Sequence, residues 1–496
     1  MPGGNLHIDR SPAEPAEPKK PGSAGNPLPH LHSRYNPQGE AVRYLDSLNL
    51  KDTIKCFILI EPGLGYMIPV LLERFAKSKI IVLHTESGAC RNEEQISLNE
   101  RNSCAVHYGA NGASINKFLE TEVPEIDADC VKIIEWRPSL NYYKEEYVTL
   151  LSQTAGFLKR LDAEKRTTAA FGKRWIKNFF KNLEVLNKTL LYRQTSLPVI
   201  VTGSGPGLEE AMTVIKNNQN NCLIIAASSS LTALDANGIE ADIVIATDGG
   251  NWALRHLYPC VRKKMSPDFA YAANLCAALP SQTKETPFLI INDGSFWQSI
   301  VLRELLIPSV IIGQRGTVTA AAVELAMLLS GGNIYLAGMD FSNNDIKTHA
   351  RPYAFDNLFF GEANRFLPVY TTYFSRSSLL KDGGSMNIYA AWFKNRLSSW
   401  EKRIFSLTNH SIFNHAIPEK QTKIKNTKEI FNIKNVKEDP SMFREKGLSA
   451  LVSALKNSEY ADDLTKELTP LLFPASKANV TAKDLEKTLR KELIRT

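Results

Sequence analysis

The strongest constraint on this chain is the alternation, across its centre, of short uninterrupted apolar runs with segments of helical spacing. Leu197–Thr202 reads as a strand, Gly203-Ser204-Gly205-Pro206-Gly207 as a turn, and Leu208 onward as a helix running towards Lys216. The pattern repeats with a strand at Leu223–Ala226, a helix from Ser229 to Ala236 and a strand at Ile243–Thr247. Further strands fall at Phe288–Ile291, Val310–Ile312 and Ile334–Ala337, with a helix from Thr317 to Leu329 before the last. Apolar strands that do not alternate must be covered on both faces, which predicts a parallel α/β sheet.

A second, smaller unit precedes it. Phe57–Ile60 and Ile80–Leu83 read as strands around the turn Glu61-Pro62-Gly63-Leu64-Gly65-Tyr66 and a helix ending near Ala76, a βαβ unit of Rossmann-like type. Glu86 lies where an acidic group would accept ribose hydroxyls in a dinucleotide or methyl-donor site, but the third glycine of that fingerprint is missing. The turn is therefore read either as a cofactor loop or as a tight bend only. Residues 145–195 carry Tyr147, Leu150, Leu158, Trp175, Phe179 and Leu183 at helical spacing and read as a helical linker. After Trp400 no further strand is predicted. Leu448, Leu451 and Leu455 share one stripe, as do Leu485, Leu489 and Leu493, the latter behind a capping box from Thr481 to Asp484. With 496 residues, and about 150 per domain, the expected division is a disordered tail over 1–30, a Rossmann-like domain over 31–144, the linker, a catalytic domain over 196–400 and a helical domain over 401–496. Met1–Pro29 holds seven prolines and four glycines and no aromatic residue, which is the ground for expecting no fold there.

Composition excludes several classes. No run approaches the length of a membrane span, and no secretory leader is readable, so a cytoplasmic protein is expected. Seven cysteines without a C-x-x-C pair argue against disulfides and thiolate zinc and predict free thiols. The formal charge is +7, and residues 401–496 hold eighteen basic and thirteen acidic side chains. Without interleaved aromatics that excess reads as a solvated helical surface rather than a nucleic-acid platform.

In an open parallel sheet the loops leaving the carboxyl ends of the strands form the ligand crevice. The candidate nucleotide-binding residues all lie there. Gly203, Ser204, Gly205, Pro206 and Gly207 offer backbone N–H groups at a helix start, suited to phosphate. Asp248 ends a strand and would hold a ribose hydroxyl or a divalent metal, and Asn292-Asp293-Gly294-Ser295 repeats the arrangement. Gly316 and Thr317 head a helix that would offer a second anion seat, and Gly338-Met339-Asp340 closes the series. Beyond it a polar loop, Asn343 to Arg351, contains His349 as candidate general base and Arg351 as a fork for carboxylate or phosphate. Tyr353, Tyr370, Tyr373 and Arg376 extend this region as walls of a sugar-sized pocket or as ordinary packing.

The segments Thr202–Leu208 and Ala233–Asp248 resemble the motility accessory factor (Maf) family with its MptE-like core. Leu31–Pro37, Phe171–Asn178 and Leu336–Phe341 with His349 are similar to further motifs of that family, so the resemblance covers about residues 31–400. It departs at Gly207, where the family commonly has Ser. The resemblance implies a central domain similar to sialyltransferases. It also implies a glycosyltransferase that moves pseudaminic or legionaminic acid from a CMP-activated donor to Ser or Thr of flagellin in the cytoplasm. On it, Asp248 and Asn274 would hold the ribose or cytosine, His349 and Asp340 would be catalytic, and Arg351 or Arg376 would bind the sugar carboxylate. No cofactor is demanded, with a divalent metal at Asp248 or Asp340 left open. Two other readings stand beside it: an ATP-dependent pterin diphosphokinase, since the core is shared with one, and a non-enzymatic flagellin-binding factor.

Overall fold

The structure, a computed structural model, describes residues 31–494 apart from 87–103, 110–111, 124–127, 259–269, 282–285, 314–315, 342–345, 383–384, 395–399, 401, 410–411, 420–424, 437 and 475–479. The expected tail, Cys90, Cys260, Asn343 to Asp345 and part of the 420–440 connector lie outside the described residues. The chain divides into two compact units, 1–161 and 162–496, each an α/β unit on a parallel sheet. No helix among the described residues is long and apolar enough to cross a membrane. The described cysteines, Cys56, Cys104, Cys130, Cys222 and Cys276, are free thiols, as expected.

In the first unit, β1 (Cys56–Ile60), β2 (Lys79–His84), β3 (Ala105–Tyr108) and β4 (Val131–Glu135) form a parallel sheet in the order β3-β2-β1-β4. Every residue of β1 is buried because successive side chains serve two layers. Phe57 and Leu59 pack with Ala41 and Leu45 of α1 (Pro37–Ser47) and Leu71 of α2 (Met67–Arg74). Cys56, Ile58 and Ile60 pack with Ile115 and Leu119 of α3 (Gly112–Glu122) and with Tyr147 and Leu150. The latter two belong to α4 (Arg137–Leu183), whose helical path breaks at Lys144 (φ 29°).

A buried polar cluster joins the ends of β1 and β2. Glu61, with φ 41°, is fully buried, as is His84. One carboxylate oxygen lies 3.1 Å from His84 Nδ1, and the other accepts from Thr85 N at 2.7 Å and Thr85 Oγ1 at 3.2 Å. Glu61 is thus occupied by its own chain, and the bend of Gly63 and Gly65, both at positive φ, is a tight turn. Removing one member of such a buried set leaves the others without partners. Glu61→Ala is expected to destabilise the first unit by about 2–4 kcal/mol, read as a lower denaturant midpoint.

Among the described residues the second unit is built on ten strands. They are β5 (Lys188–Tyr192), β6 (Val199–Thr202), β7 (Leu223–Ala227), β8 (Ile243–Ala246), β9 (Ala270–Asn274), β10 (Phe288–Asn292), β11 (Ser309–Ile311), β12 (Ile334–Ala337), β13 (Ile404–Ser406) and β14 (Phe431–Asn435). Their order is β13-β12-β6-β7-β8-β9-β10-β5-β14, with β11 paired to β10. All pairings are parallel except that of β14 with β5. The expectation of no strand beyond Trp400 is corrected: β13 and β14 complete opposite edges of the central sheet. They are short, and β14 is exposed over four of its five residues, so neither carries an apolar run. Likewise β5 falls inside the stretch read as linker.

Both faces of the sheet are covered. Val199, Val201, Ile225, Ile243 and Ile245 pack on α8 (Val318–Leu329), and Ile200, Ile224 and Val244 pack towards α5 (Leu208–Asn218), α6 (Leu231–Ala236) and α7 (Phe296–Glu304). The chain ends in three helices, α12 (Phe443–Lys456), α13 (Ala461–Leu472) and α14 (Ala482–Ile494), whose leucine stripes enter that same core. The capping box expected at α14 is formed: Thr481 Oγ1 donates to Asp484 Oδ2 at 2.6 Å, and Asp484 N donates back to Thr481 Oγ1 at 3.3 Å. Because β6 pairs with β7 on one side and β12 on the other, the strand order reverses between β6 and β12. In open parallel sheets the carboxyl ends at such a reversal are where ligand crevices form.

Candidate active site at the carboxyl ends of the central strands

The turns after β6 and β12 interlock through backbone. Gly203 N donates to Ala337 O and Gly205 N to Gly338 O, each at 2.8 Å. A Cβ at Gly203 would stand 2.6 Å from Gly338 O, and one at Gly338, whose φ is +67°, 2.5 Å from Gly203 O. Glycine is required at both because carbonyl backbone occupies the space a side chain needs. The helix start that follows is also taken: Asp340 Oδ2 accepts from Gly207 N at 2.7 Å. This corrects the expectation that the Gly203–Gly207 amides are open to phosphate. A carboxylate of the chain itself already satisfies the dipole and donor of α5, and Asp340 here is a cap. Gly203→Ala is expected to lower stability by about 2 kcal/mol or more. Gly361→Ala, where an added Cβ meets nothing within 4 Å, should stay within about 1 kcal/mol of the parent in the same melts.

The other strand-end residues are held in turns. Asp248 is exposed and accepts from Gly250 N at 2.8 Å. Asn274 is buried, its Oδ1 accepting from Cys276 N at 2.8 Å. Both loops are pinned from α4: Asn178 Nδ2 donates to Gly249 O and Cys276 O, and Asn182 Nδ2 to Leu275 O and Ala277 O. Asn292 accepts from Gly294 N, and Asp293 accepts from the N–H and hydroxyl of Ser295. The start of α7 is capped by Glu467 of α13, which accepts from Phe296 N at 2.8 Å and Trp297 N at 3.0 Å. Gly316, at φ +71°, precedes Thr317, whose hydroxyl accepts from Thr319 N at the head of α8. No group of three or more His, Cys, Asp or Glu side chains gathers as a metal site among the described residues, so Asp248 and Asp340 are not joined in one.

The segment after β12 carries a denser cluster. It is tied to α5 by Glu209, which accepts from Arg351 N at 2.7 Å and pairs with Lys347 Nζ at 2.8 Å, and to the turn after β6 by Ala350 N donating to Ser204 O. His349 stacks on Tyr353 with centroids 4.1 Å apart, and its Nδ1 lies 2.9 Å from Thr348 Oγ1. Arg351 lies over the ring of Tyr373 at 4.1 Å and Arg376 over Phe359 at 4.7 Å. Neither guanidinium has a carboxylate partner among the described residues. The platform is fixed by buried Asp356, in α9 (Asp356–Glu362), which accepts from Tyr373 Oη at 2.5 Å and Tyr353 N at 2.8 Å. Tyr370 stands apart, stacked on Phe374 and largely exposed.

A residue the sequence reading passed over joins this cluster. His256, in the turn Asn251–Leu257 after β8, has its ring 5.6 Å from Tyr353 and 5.2 Å from Phe355. Nothing in its local pattern marks it; only the packing of two distant loops brings it beside His349. Burial pushes both imidazoles down to about 4, with Arg376 and His256 adding to the effect on His349 and Asp248 opposing it at His256. Burial also raises Tyr353 and Tyr373 to about 12, Tyr373 further through its bond to Asp356. All four rings are therefore neutral near pH 7.

Residues 173–345 match the family model of 6-hydroxymethylpterin diphosphokinase MptE-like proteins. The motifs at Thr202–Leu208 and Ala233–Asp248 fall inside that stretch, whereas His349, Arg351 and Arg376 lie beyond it. An uncharacterized protein of Treponema pallidum (strain Nichols) is 28% identical over 281 residues, 56% of this chain and 60% of the relative, so the chain spans about three-fifths of that relative's length. The Maf glycosyltransferase of Magnetospirillum magneticum AMB-1 is similar to 92% of this chain and 77% of its own, at 13% identity and a TM-score of 0.47.

The second unit has a distinct pH signature. An imidazole held neutral in the fold and free to protonate when unfolded favours unfolding once the solvent falls below about 6.5, and increasingly down to about 4. The melting temperature is expected to change little from these groups above pH 7 and to fall between 6.5 and 4. His349→Gln should flatten that slope in thermal melts taken across the range.

Proposed function

We propose that this chain is a glycosyltransferase that moves a carboxylated nine-carbon sugar, pseudaminic or legionaminic acid, from a CMP donor to a Ser or Thr hydroxyl of a protein, flagellin being the acceptor. The observation that carries the reading is the pair of guanidiniums of Arg351 and Arg376, stacked on Tyr373 and Phe359 without carboxylate partners among the described residues, beside the neutral imidazole of His349. Planar forks held on aromatic faces suit a carboxylate, and stacking keeps them from collapsing onto acidic neighbours.

In this reading the acceptor hydroxyl oxygen forms the new bond to the anomeric carbon while the bond from that carbon to the phosphate oxygen breaks. CMP leaves with the electron pair of the broken bond. The hydroxyl proton passes to His349 Nε2, which carries the lone pair in the tautomer whose Nδ1–H donates to Thr348 Oγ1. Asp248, exposed at the end of β8, is offered to the ribose, with Asn274 shaping the neighbouring loop. Ser204, Gly316 and Thr317 are assigned to the donor's surroundings in this reading, while Gly203, Gly205, Gly207 and Asp340 act through the interlocked turns rather than by receiving phosphate on free amides. Pro206 belongs to the same bend. No metal is needed for these steps, and modification of a protein acceptor before export would place the reaction in the cytoplasm.

Arg351→Ala and Arg376→Ala are each expected to weaken a CMP-linked carboxylated sugar about tenfold or more, with CMP itself bound within about twofold of the parent in calorimetry. Transfer should keep its rate as pH falls from 7 towards 5, because the base stays neutral there, and His349→Ala should lower it by about a hundredfold or more. A wild-type rate in His349→Ala would remove it as the base.

The description of the matching family favours a second reading, ATP-dependent diphosphate transfer to a hydroxymethylpterin. Incubation with ATP, magnesium and 6-hydroxymethylpterin decides between them: release of AMP with a diphosphorylated pterin would replace the transferase reading.

A further inference from the structure

His256 has an unused hydrogen-bonding position. Its Nδ1 is buried and has no hydrogen-bond partner among the described residues. Such a group costs about 1–3 kcal/mol, and a site that keeps one invites a ligand that completes it. Its surroundings indicate which kind. Facing it are Tyr353, which in turn stacks on His349, and Phe355, which carries the guanidinium of Arg255 at 5.7 Å. Asp248 lies close enough to act on its charge, and His256 and Arg376 both act on His349. Arg255, Arg351 and Arg376 have no carboxylate partner among the described residues, so a cation would be repelled.

We propose that His256 is a ligand for an anionic substrate group seated in this pocket, its Nδ1 donating to that group after taking one proton from solvent as the anion enters. This rests on the transferase reading for the identity of the anion, the donor phosphate, but not for its charge. In the chain by itself the imidazole is neutral because burial outweighs the carboxylate of Asp248. An anion reverses the balance, since a neighbouring negative charge favours the protonated ring. Positive charge then stands beside the departing phosphate oxygen when it is needed, without a permanently charged ring among the arginines.

The test uses the full chain with isotope-labelled histidine, following the ring signals of His256 by NMR as pH is varied, first alone, then with CMP, then with inorganic pyrophosphate. The signal is assigned with His256→Asn. Either probe is expected to raise the His256 pKa by about one unit or more, and His256→Asn should bind both probes about fivefold or more weakly at unchanged melting temperature. If pyrophosphate raises it but CMP does not bind, the nucleotide donor is wrong and His256 remains an anion ligand. If the probes bind and the His256 pKa stays where it was, His256 is not a ligand although the pocket reading survives. If neither binds, both are overturned. Should His256→Asn fail to fold, His256→Gln assigns the signal instead and the wild-type titrations decide.

Discussion

The contact on which the crevice depends is the backbone lock between the turns after β6 and β12. Gly203 and Gly338 press carbonyl against glycine, and Asp340 closes the head of α5. At a point where strand order reverses, the two loops would otherwise diverge; the lock holds them at one separation. The segment from Lys347 to Arg351 hangs from it, tied to α5 through both oxygens of Glu209. A feature that looks like a phosphate cradle is thus the hinge pin of the pocket.

The pocket's charge follows from where its cations rest. Guanidiniums stacked on Tyr373 and Phe359 have no carboxylate partner among the described residues. Burial keeps His256 and His349 unprotonated, with Arg376 adding to the effect on His349. Asp356 supports the arrangement by fixing Tyr373 and Tyr353 rather than by pairing with either arginine. That carboxylate is committed to the aromatic platform.

The last helices serve the same end. Glu467 caps α7, and Asn178 and Asn182 of α4 hold the loops behind β8 and β9, where Asp248 and Asn274 lie. A bulky neighbour at Gly249, the indole of Trp175, leaves no room there for a side chain. The motif from Phe171 to Asn178, outside any strand-end loop, is therefore part of what shapes the crevice.

Amino-acid order alone determined the parallel sheets, the glycine bends, the leucine stripes of α12 and α14 and the capping box at Thr481, because each is written in local spacing: period two, period three to four, or a fixed offset. The segment holding His349, Arg351 and Arg376 was legible for the same reason, as a polar run after an apolar strand. Tertiary structure decided that Asp340 fills the helix start it was expected to leave open, that β13 and β14 join the sheet, that Tyr370 faces away and that His256 meets His349. Those outcomes turn on partners more than a hundred residues apart for Asp340 and on edge pairing made by backbone groups. Neither leaves a periodic trace in a side-chain pattern, since backbone donors are the same in every sequence and a carboxylate's direction is set by the fold around it.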